Sequence, residues 1–591
     1  MARDYEKYSK DELIVHIHEL EKQLKNTKYG LYWDKRIEQE HVISKCKDNI
    51  PILIKEDNLC ITSDVHADTH LLIEGDNFHV LSTLNMMCGN EGFIDIIYID
   101  PPYNRGKEDF IYNDKYVNED DGYRHSKWIS FMHDRLQLAR NLLKNTGVIF
   151  ISINEIEFAQ LKLLCDKLFG EKNLISQIAW FKGYGKNESK FFSNNMEYIL
   201  VYGKNISELK NADAIQFLSV KEGFNEVMDI IKKGKLKNKS KKDIEKEIKS
   251  YYKKNPNLKG IKAYNKLDEN MELYRPVSME KPKDPCYFYD IIHPETKKPC
   301  KMPKKGWRMP EETYHTWLEQ NLIIFGKDET TIPNRKYLLK NVKYETPKNF
   351  IQNSDQGGNE ILDIFSGNVF DYPKPTSLIY YLLEIINISN GYILDFFAGS
   401  GTTGHAVLEL NKKDNGHRKF ILCTNNENNI CTEVTHPRIK TVITGQRPDG
   451  SKYSEGISAN LMYYKTDFIE DSKDTDQAKY SLVEKVDELL CIIEETHVKK
   501  ERTDYYSHYE TLSGDKHTFI YSEYYSAEPF SDFIKLIDSV DGEKIVYMFS
   551  TDNVIDEKLF ENINNVTVKP IPNKIYEIYK EIVEDIKRGE Q

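Results

Sequence analysis

Residues 97–104 read IYIDPPYN, an apolar run that ends in an acid, two prolines and a tyrosine. Ligands of open α/β sheets bind at strand ends of this kind. A carboxylate at Asp100 and a backbone carbonyl at Pro101 can accept both hydrogens of an exocyclic amino group. The lone pair of such a group is delocalised into its ring. The two acceptors steer it towards an electrophile and stabilise the positive charge that develops on nitrogen. Pro101 and Pro102 fix φ and hold the acceptors still. Tyr103 offers a flat face on which an extruded base can stack, and Asn104 and Tyr198 are further candidates for nucleic-acid contact.

A second element stands some three hundred residues later. Residues 392–404 read YILDFFAGSGTTG, a strand running through a glycine turn into a helix, and Gly399, Gly401 and Gly404 satisfy GxGxxG. Glycines let backbone approach a ligand closely, and Glu427, near the end of the next strand, can take ribose hydroxyls. The pattern suits an adenosine-type cofactor and does not choose between a nicotinamide dinucleotide and S-adenosylmethionine. It lacks the GK[ST] ending of a triphosphate loop. One cleft holding cofactor and base requires the strand tips near residues 100 and 399 to meet around a shared hollow.

The elements that position these residues alternate between strand and helix. LLIEGD at 71–76, FIDIIYID at 93–100, GVIFISI at 147–153 and MEYILVYGK at 196–204 read as strands. Helices are expected from Asn77 and from Ser130, the latter ending in a polar turn before Gly147. The α/β texture breaks over 232–266, with fourteen lysines against Asp243, Glu245 and Glu247. It returns at 391–410 and 419–427, so the middle reads as an insertion between two halves of one parallel sheet. HTFIYSEYY and KIVYMFSTD are two further strands, followed by a closing helix from about Asn573. Near the amino end, Ser9 and Glu12 form a capping box for a helix over about 9–27.

With 591 residues, 39% hydrophobic and 30% charged, the chain suits a multi-domain globular protein. No apolar run is long enough for a membrane span and the opening MARDYEKYSK is not a secretory signal, so a cytoplasmic protein is expected. The nine cysteines include no CxxC pair, which suggests neither a metal site nor a disulfide framework. A net charge of −12 does not exclude nucleic acid, because phosphate contacts depend on where the basic residues lie.

The order of DPPY before FAGSG resembles the β class of DNA amino-methyltransferases. YGLYWDKR, LLIEGDNFHVL, YRHSKWISFMHDRL, IIFGKDETTIPNRK and VKPIPNKIYEIYK narrow it to the modification subunits of type III restriction systems. The resemblance implies an α/β fold with a seven-stranded, circularly permuted, Rossmann-like methyltransferase sheet. The expected division is an N-terminal helical segment at 1–45, core halves at 46–204 and 346–465, a target recognition domain at 205–345 and a small α/β domain at 466–591. S-adenosylmethionine is then the cofactor. Phe370, Lys374 and Pro375 would enclose its methionine part, and Asp395, Phe397, Ala398, Gly399, Ser400, Gly401 and Thr402 would line its other side. Glu427 would hold the ribose, and Asp100, Pro101, Pro102 and Tyr103 would be catalytic. NNMEYILVY carries Met196 where the family usually has His. The implied activity is N6 methylation of adenine in double-stranded DNA by a homodimer, with a separate helicase-nuclease restriction subunit as partner. The alternatives are cytosine N4 or stand-alone DNA methylation, RNA as substrate, a non-catalytic DNA-binding subunit and, remotely, a nicotinamide oxidoreductase.

Overall fold

Runs of Ile, Leu, Val and aromatic residues without polar alternation suit strands covered on both faces; such runs form the middle of one sheet, which ten segments build. They are β1 Ile50–Lys55, β2 Thr69–Glu74, β3 Ile94–Ile99, β4 Leu143–Ile153 and β5 Leu174–Phe181. The others are β6 Met196–Gly203, β7 Phe350–Gln352, β8 Asn390–Asp395, β9 His417–Thr424 and β10 Asn460–Ile469. With the short strand Ile61–Thr62 paired to β10, the sheet has eleven strands in the order β1-β10-β2-β9-β8-β3-β4-β6-β5-β7. The computed structural model describes Trp33 and residues 40–46, 49–88, 92–106, 109–113, 115–183, 191–212, 215–280, 287–353, 355–469, 487–503, 505–521, 527–549 and 557–571. The expected helix at 9–27 and the closing helix from Asn573 lie outside them.

Every pairing from β10 through to β4 is parallel, and β6 runs antiparallel between β4 and β5. The stretch β2-β9-β8-β3-β4-β6-β5 is the expected seven-stranded sheet, extended by β10, β1 and Ile61–Thr62 at one edge and by β7 at the other. β8 and β9 come from the later half of the chain yet sit between β2 and β3 of the first half, as a permuted sheet requires. Ile393 and Leu394 of β8 pair with Ile96 and Ile97 of β3. The two strands therefore end at the same edge of the sheet.

Helices Asn77–Cys88 and Arg124–Leu142 pack on one another. The second starts six residues before the expected Ser130, because Trp128 and Ile129 continue its buried face. Leu143 and Lys144, expected as the end of that helix, and the expected polar turn at 145–146 instead open β4.

The chain divides into two units, residues 1–216 with 348–591 and residues 217–347. The first boundary falls later than the expected 204/205, because helix Ile206–Asn211 buries Leu209 and its Ile206 N–H bonds to Asn173 Oδ1 of the first unit. The unit at 217–347 has a four-stranded sheet and a pair of helices, Phe224–Leu236 and Lys241–Lys254, joined by a core that includes Val227, Ile231, Ile244 and Ile248. The lysine-rich stretch is thus folded, with Ile244, Ile248, Leu258 and Ile261 inward.

The segment after residue 466, expected as a separate domain, has its own five-stranded sheet of Val498–Arg502, Tyr506–Glu510, Lys516–Tyr521, Glu543–Phe549 and Val566–Ile571. It belongs nevertheless to the larger unit. β10 crosses the expected 465/466 boundary, the His497 carbonyl accepts from Lys55 Nζ at 2.7 Å, and Glu495 binds Lys419 Nζ at 2.6 Å.

Candidate active site

Asp100 follows the last residue of β3, so the sheet edge itself presents the acid. Its Oδ2 accepts from Lys374 Nζ at 2.6 Å and its Oδ1 from the Tyr103 hydroxyl at 2.8 Å. The same hydroxyl lies 3.1 Å from Glu197 Oε2, so one hydrogen is shared between two carboxylates. Glu197 is buried near the start of β6, with Lys182 Nζ 2.6 Å from Oε1 and Lys374 Nζ 3.6 Å from Oε2. Burial, only partly offset by Lys374, pushes the Asp100 carboxyl up. Burial opposes charge on Glu197 too, but Lys374 and Lys182 outweigh it and hold that carboxyl below its usual range. Lys374 is itself pushed up, as Asp100 and Glu197 overcome its burial. Lys374 also stands 4.9 Å over the Tyr103 ring.

The turn is held from behind. Trp128 Nε1 donates to the Pro102 carbonyl at 2.7 Å. Asn104 takes the left-handed backbone (φ 56°) that closes the turn, which its short polar side chain tolerates. It is fully buried and its Nδ2 donates to Glu157, which His125 Nδ1 meets at 2.6 Å. Asn104, expected to touch nucleic acid, is here a brace beneath the tetrad. Tyr198 is half-buried on β6 with its ring against Phe158, 4.6 Å between centroids.

The glycine loop leaves β8 at the neighbouring strand tip. Gly399 (φ 48°) and Gly401 (φ 79°) both take left-handed backbone. A Cβ on Gly399 would stand 3.0 Å from Cζ of Phe370, so that ring lies against the loop. Between this tip and the tetrad opens a cavity of about 740 Å³, whose lining includes Asp76, Asn77, Pro102, Phe131, Phe397 and Glu427. The two motifs, distant in the chain, therefore share one hollow.

The profile of the family described as DNA methylase matches residues 94–436, more than half of the chain. The chain belongs to this DNA methylase family. A type III restriction-modification enzyme Mod subunit of Escherichia coli, EcoP15I, is 33% identical over 70% of this chain and 67% of its own length. The StyLTI Mod subunit of Salmonella typhimurium is 35% identical over 60% of this chain and 52% of its own. A solved structure, the M1.HpyAVI–SAM complex, aligns with 62% of this chain and 98% of that chain at 12% identity and a TM-score of 0.28.

S-adenosylmethionine is the methyl donor of this family of methylases, and the residues present fit it. The walls at Phe110, Phe131 and Phe397 suit a nucleoside, and Asp76 and Glu427 offer carboxylates to its polar groups. Glu427 is exposed at the cavity rim. Lys374 and Pro375 lead into helix Thr376–Glu384 beside the tetrad. Of the expected cofactor residues, Phe397 and Glu427 line the hollow, and Phe370, Lys374, Pro375, Gly399 and Gly401 stand outside its lining. Asp395 is buried, accepts from Phe397 N at 3.0 Å and Thr403 Oγ1 at 2.5 Å, and shapes the loop, with burial pushing its carboxyl up to about 7. Ala398, Ser400 and Thr402 are buried too. The hydroxyls of Ser400 and Thr402 accept from Arg438 Nη1 at 3.1 and 2.9 Å, and Arg438 Nη2 reaches Glu360 at 2.8 Å.

Sequence reasoning missed Asp76, Asn77, Glu197, Arg438 and Arg135. The first two carry a signal that could have been read, since Gly75-Asp76-Asn77 ends β2 at the same sheet edge as the other two tips. Arg135 is buried beneath them, with Nη1 2.8 Å and Nη2 3.2 Å from Glu40 and Nε 2.5 Å from Asn77 Oδ1. Glu197 stands in NNMEYILVY, the segment that resembles a family strand with His before Glu, and that was its one signal, whereas nothing in the chain marks Arg438 before its partners are known.

Proposed function

We propose that this methylase acts on the N6 amino group of adenine in duplex DNA, as the modification subunit of a type III restriction-modification system. One observation carries the reading: the tetrad Asp100–Tyr103 and the glycine loop leave the paired strands β3 and β8 at the same sheet edge, and Pro102 of the one and Phe396 and Phe397 of the other line one cavity. Bound S-adenosylmethionine supplies an electrophilic sulfonium methyl. Asp100 Oδ1 and the Pro101 carbonyl accept the amino hydrogens and localise the nitrogen lone pair. The tertiary amides and the Trp128 bond to Pro102 hold this turn without reorganisation. Tyr103 stacks the extruded base. As positive charge grows on nitrogen, Asp100 stabilises it, and its raised proton affinity suits it to take the proton that nitrogen sheds. Phe370, Phe397 and Pro375 exclude water from the transfer. The loop residues 398–402 and Asp395 shape the cradle, and Glu427 holds the ribose.

Residues 217–347 serve as the target recognition domain, and the exposed Lys242, Lys246, Lys249 and Lys253 of its second helix suit phosphate contacts. We further infer a homodimer in the cytoplasm with a separate restriction subunit; the names of its relatives as Mod subunits of restriction-modification enzymes support the last of these. No helix among the described residues is long and apolar enough to cross a membrane.

The test is expression in a methylation-free host followed by single-molecule sequencing. N6-methyladenine is expected at one short motif, and is lost in Asp100→Ala protein that still binds cofactor. N4-methylcytosine alone, or methylation retained by Asp100→Ala, would overturn the assignment.

A further inference from the structure

The Asp100 carboxylate cannot serve the base fully in the arrangement described. Its lone pairs are enough for several donors, but Lys374 Nζ at 2.6 Å neutralises its charge. An ammonium at that position also opposes the positive charge that grows on the amino nitrogen during transfer. Tyr103 adds a second claim by placing its hydroxyl 2.8 Å from Oδ1.

Both competitors have the same alternative partner. Glu197 Oε2 lies 3.1 Å from the Tyr103 hydroxyl and 3.6 Å from Lys374 Nζ, while Lys182 holds Oε1 at 2.6 Å and fixes the carboxylate in place. A movement of the Lys374 ammonium of about 1 Å converts its contact with Glu197 into a full hydrogen-bonded ion pair. Glu197 is buried on a strand of the central sheet, so it stays still while the lysine moves.

We propose that Glu197 is a positioning residue that takes over Lys374 and the Tyr103 hydroxyl when the target amino group enters, releasing Asp100 to accept it. This rests on the amino-methyltransferase reading above. The acceptor for the base is masked in the resting site and unmasked by an exchange of partners, with no bond made or broken. The lysines beside Glu197 hold its carboxyl below its usual range, while burial pushes that of Asp100 up.

The experiment measures transfer of labelled methyl from S-adenosylmethionine to genomic DNA of a methylation-deficient host, at saturating cofactor. Glu197→Gln keeps the shape and loses the charge. Its kcat should fall about tenfold and that of Glu197→Ala about thirtyfold or more, with the cofactor KM within about threefold of wild type. The decisive comparison adds Lys374→Met. If Lys374 obstructs Asp100 once Glu197 is weakened, Glu197→Gln/Lys374→Met should exceed Glu197→Gln by about fivefold. A merely structural role for Glu197 makes the double variant equal or slower. Wild-type kcat in both single variants, or no recovery in the double variant, overturns the exchange. Absence of transfer by the wild-type protein would instead overturn the reading beneath it.

Discussion

Two glycines of one loop should fail in different ways when given a methyl group. Gly399 and Gly401 have φ of 48° and 79°. An alanine in left-handed backbone costs about 1–2 kcal/mol in stability at either place. Their surroundings separate them. A Cβ at 399 meets the Phe370 ring at 3.0 Å, and that ring belongs to the expected cofactor wall. A Cβ at 401 meets Thr435 Cγ2 at 3.2 Å and Ile439 at 3.6 Å, on the helix packed behind the loop. Displacing an aromatic contact is worth about 0.5–1.5 kcal/mol, so Gly399→Ala should weaken S-adenosylmethionine about 2- to 12-fold by titration calorimetry. Gly401→Ala should bind within about twofold of wild type while losing the same 1–2 kcal/mol in urea unfolding as Gly399→Ala. Equal loss of affinity in both variants would refute the placement of Phe370 on the cofactor side of the loop.

Asp395 should make stability fall as pH rises. Its carboxyl titrates at about 7 in the fold against 3.8 as the ordinary value, so the neutral form stabilises the protein below pH 4 and that contribution is lost as pH climbs through 7. The difference amounts to about 4 kcal/mol, and Asp395→Asn should gain on wild type in urea midpoint between pH 5 and pH 8 by a sizeable part of it. A gap independent of pH would count against burial as the cause. Arg135→Met leaves the Glu40 carboxylate buried without its guanidinium and should cost about 3–5 kcal/mol in unfolding free energy; a loss below about 1 kcal/mol would show that the pair is not the anchor it resembles. Ser240 caps helix Lys241–Lys254 by accepting from Asp243 N. Ser240→Ala should lower the stability of residues 217–347 by about 1 kcal/mol. Amide exchange should speed in that helix and not in β3 or β8.

What the sequence disclosed was local. β3, β6, β8 and β9 carry largely apolar runs and close turn signals, and all four appear within three residues of where they are expected. β1, with Pro51 inside it, β5, with alternating polar residues, and β10, with its mix of Asn, Lys and Thr, were invisible because they are edge or outer strands. Their pairing is decided by partners hundreds of residues away, as Ile50 with Ile469 shows. Domain limits slipped for the same reason. Leu209 reads as part of a polar break, yet packing against the first unit draws its helix out of the insertion.

The site divides in the same way, and the division explains which residues could be named. Asp100 and Gly399 are constrained by backbone, one by a proline turn and one by a left-handed loop, and backbone constraints leave letters in a row. Glu197 and Arg438 act only through side chains from other segments: Glu197 through Lys182, Lys374 and Tyr103, Arg438 through Glu360, Thr376, Ser400 and Thr402. A buried charge persists only where such partners offset its desolvation. The charged groups under a cleft are therefore those whose identity follows from the assembled fold. The family resemblance implied a place for Lys374 on the methionine part of the cofactor, and the structure puts its ammonium on Asp100. The lysine stands between the carboxylates of Asp100 and Glu197, and its choice of partner is what the Glu197 and Lys374 variants separate.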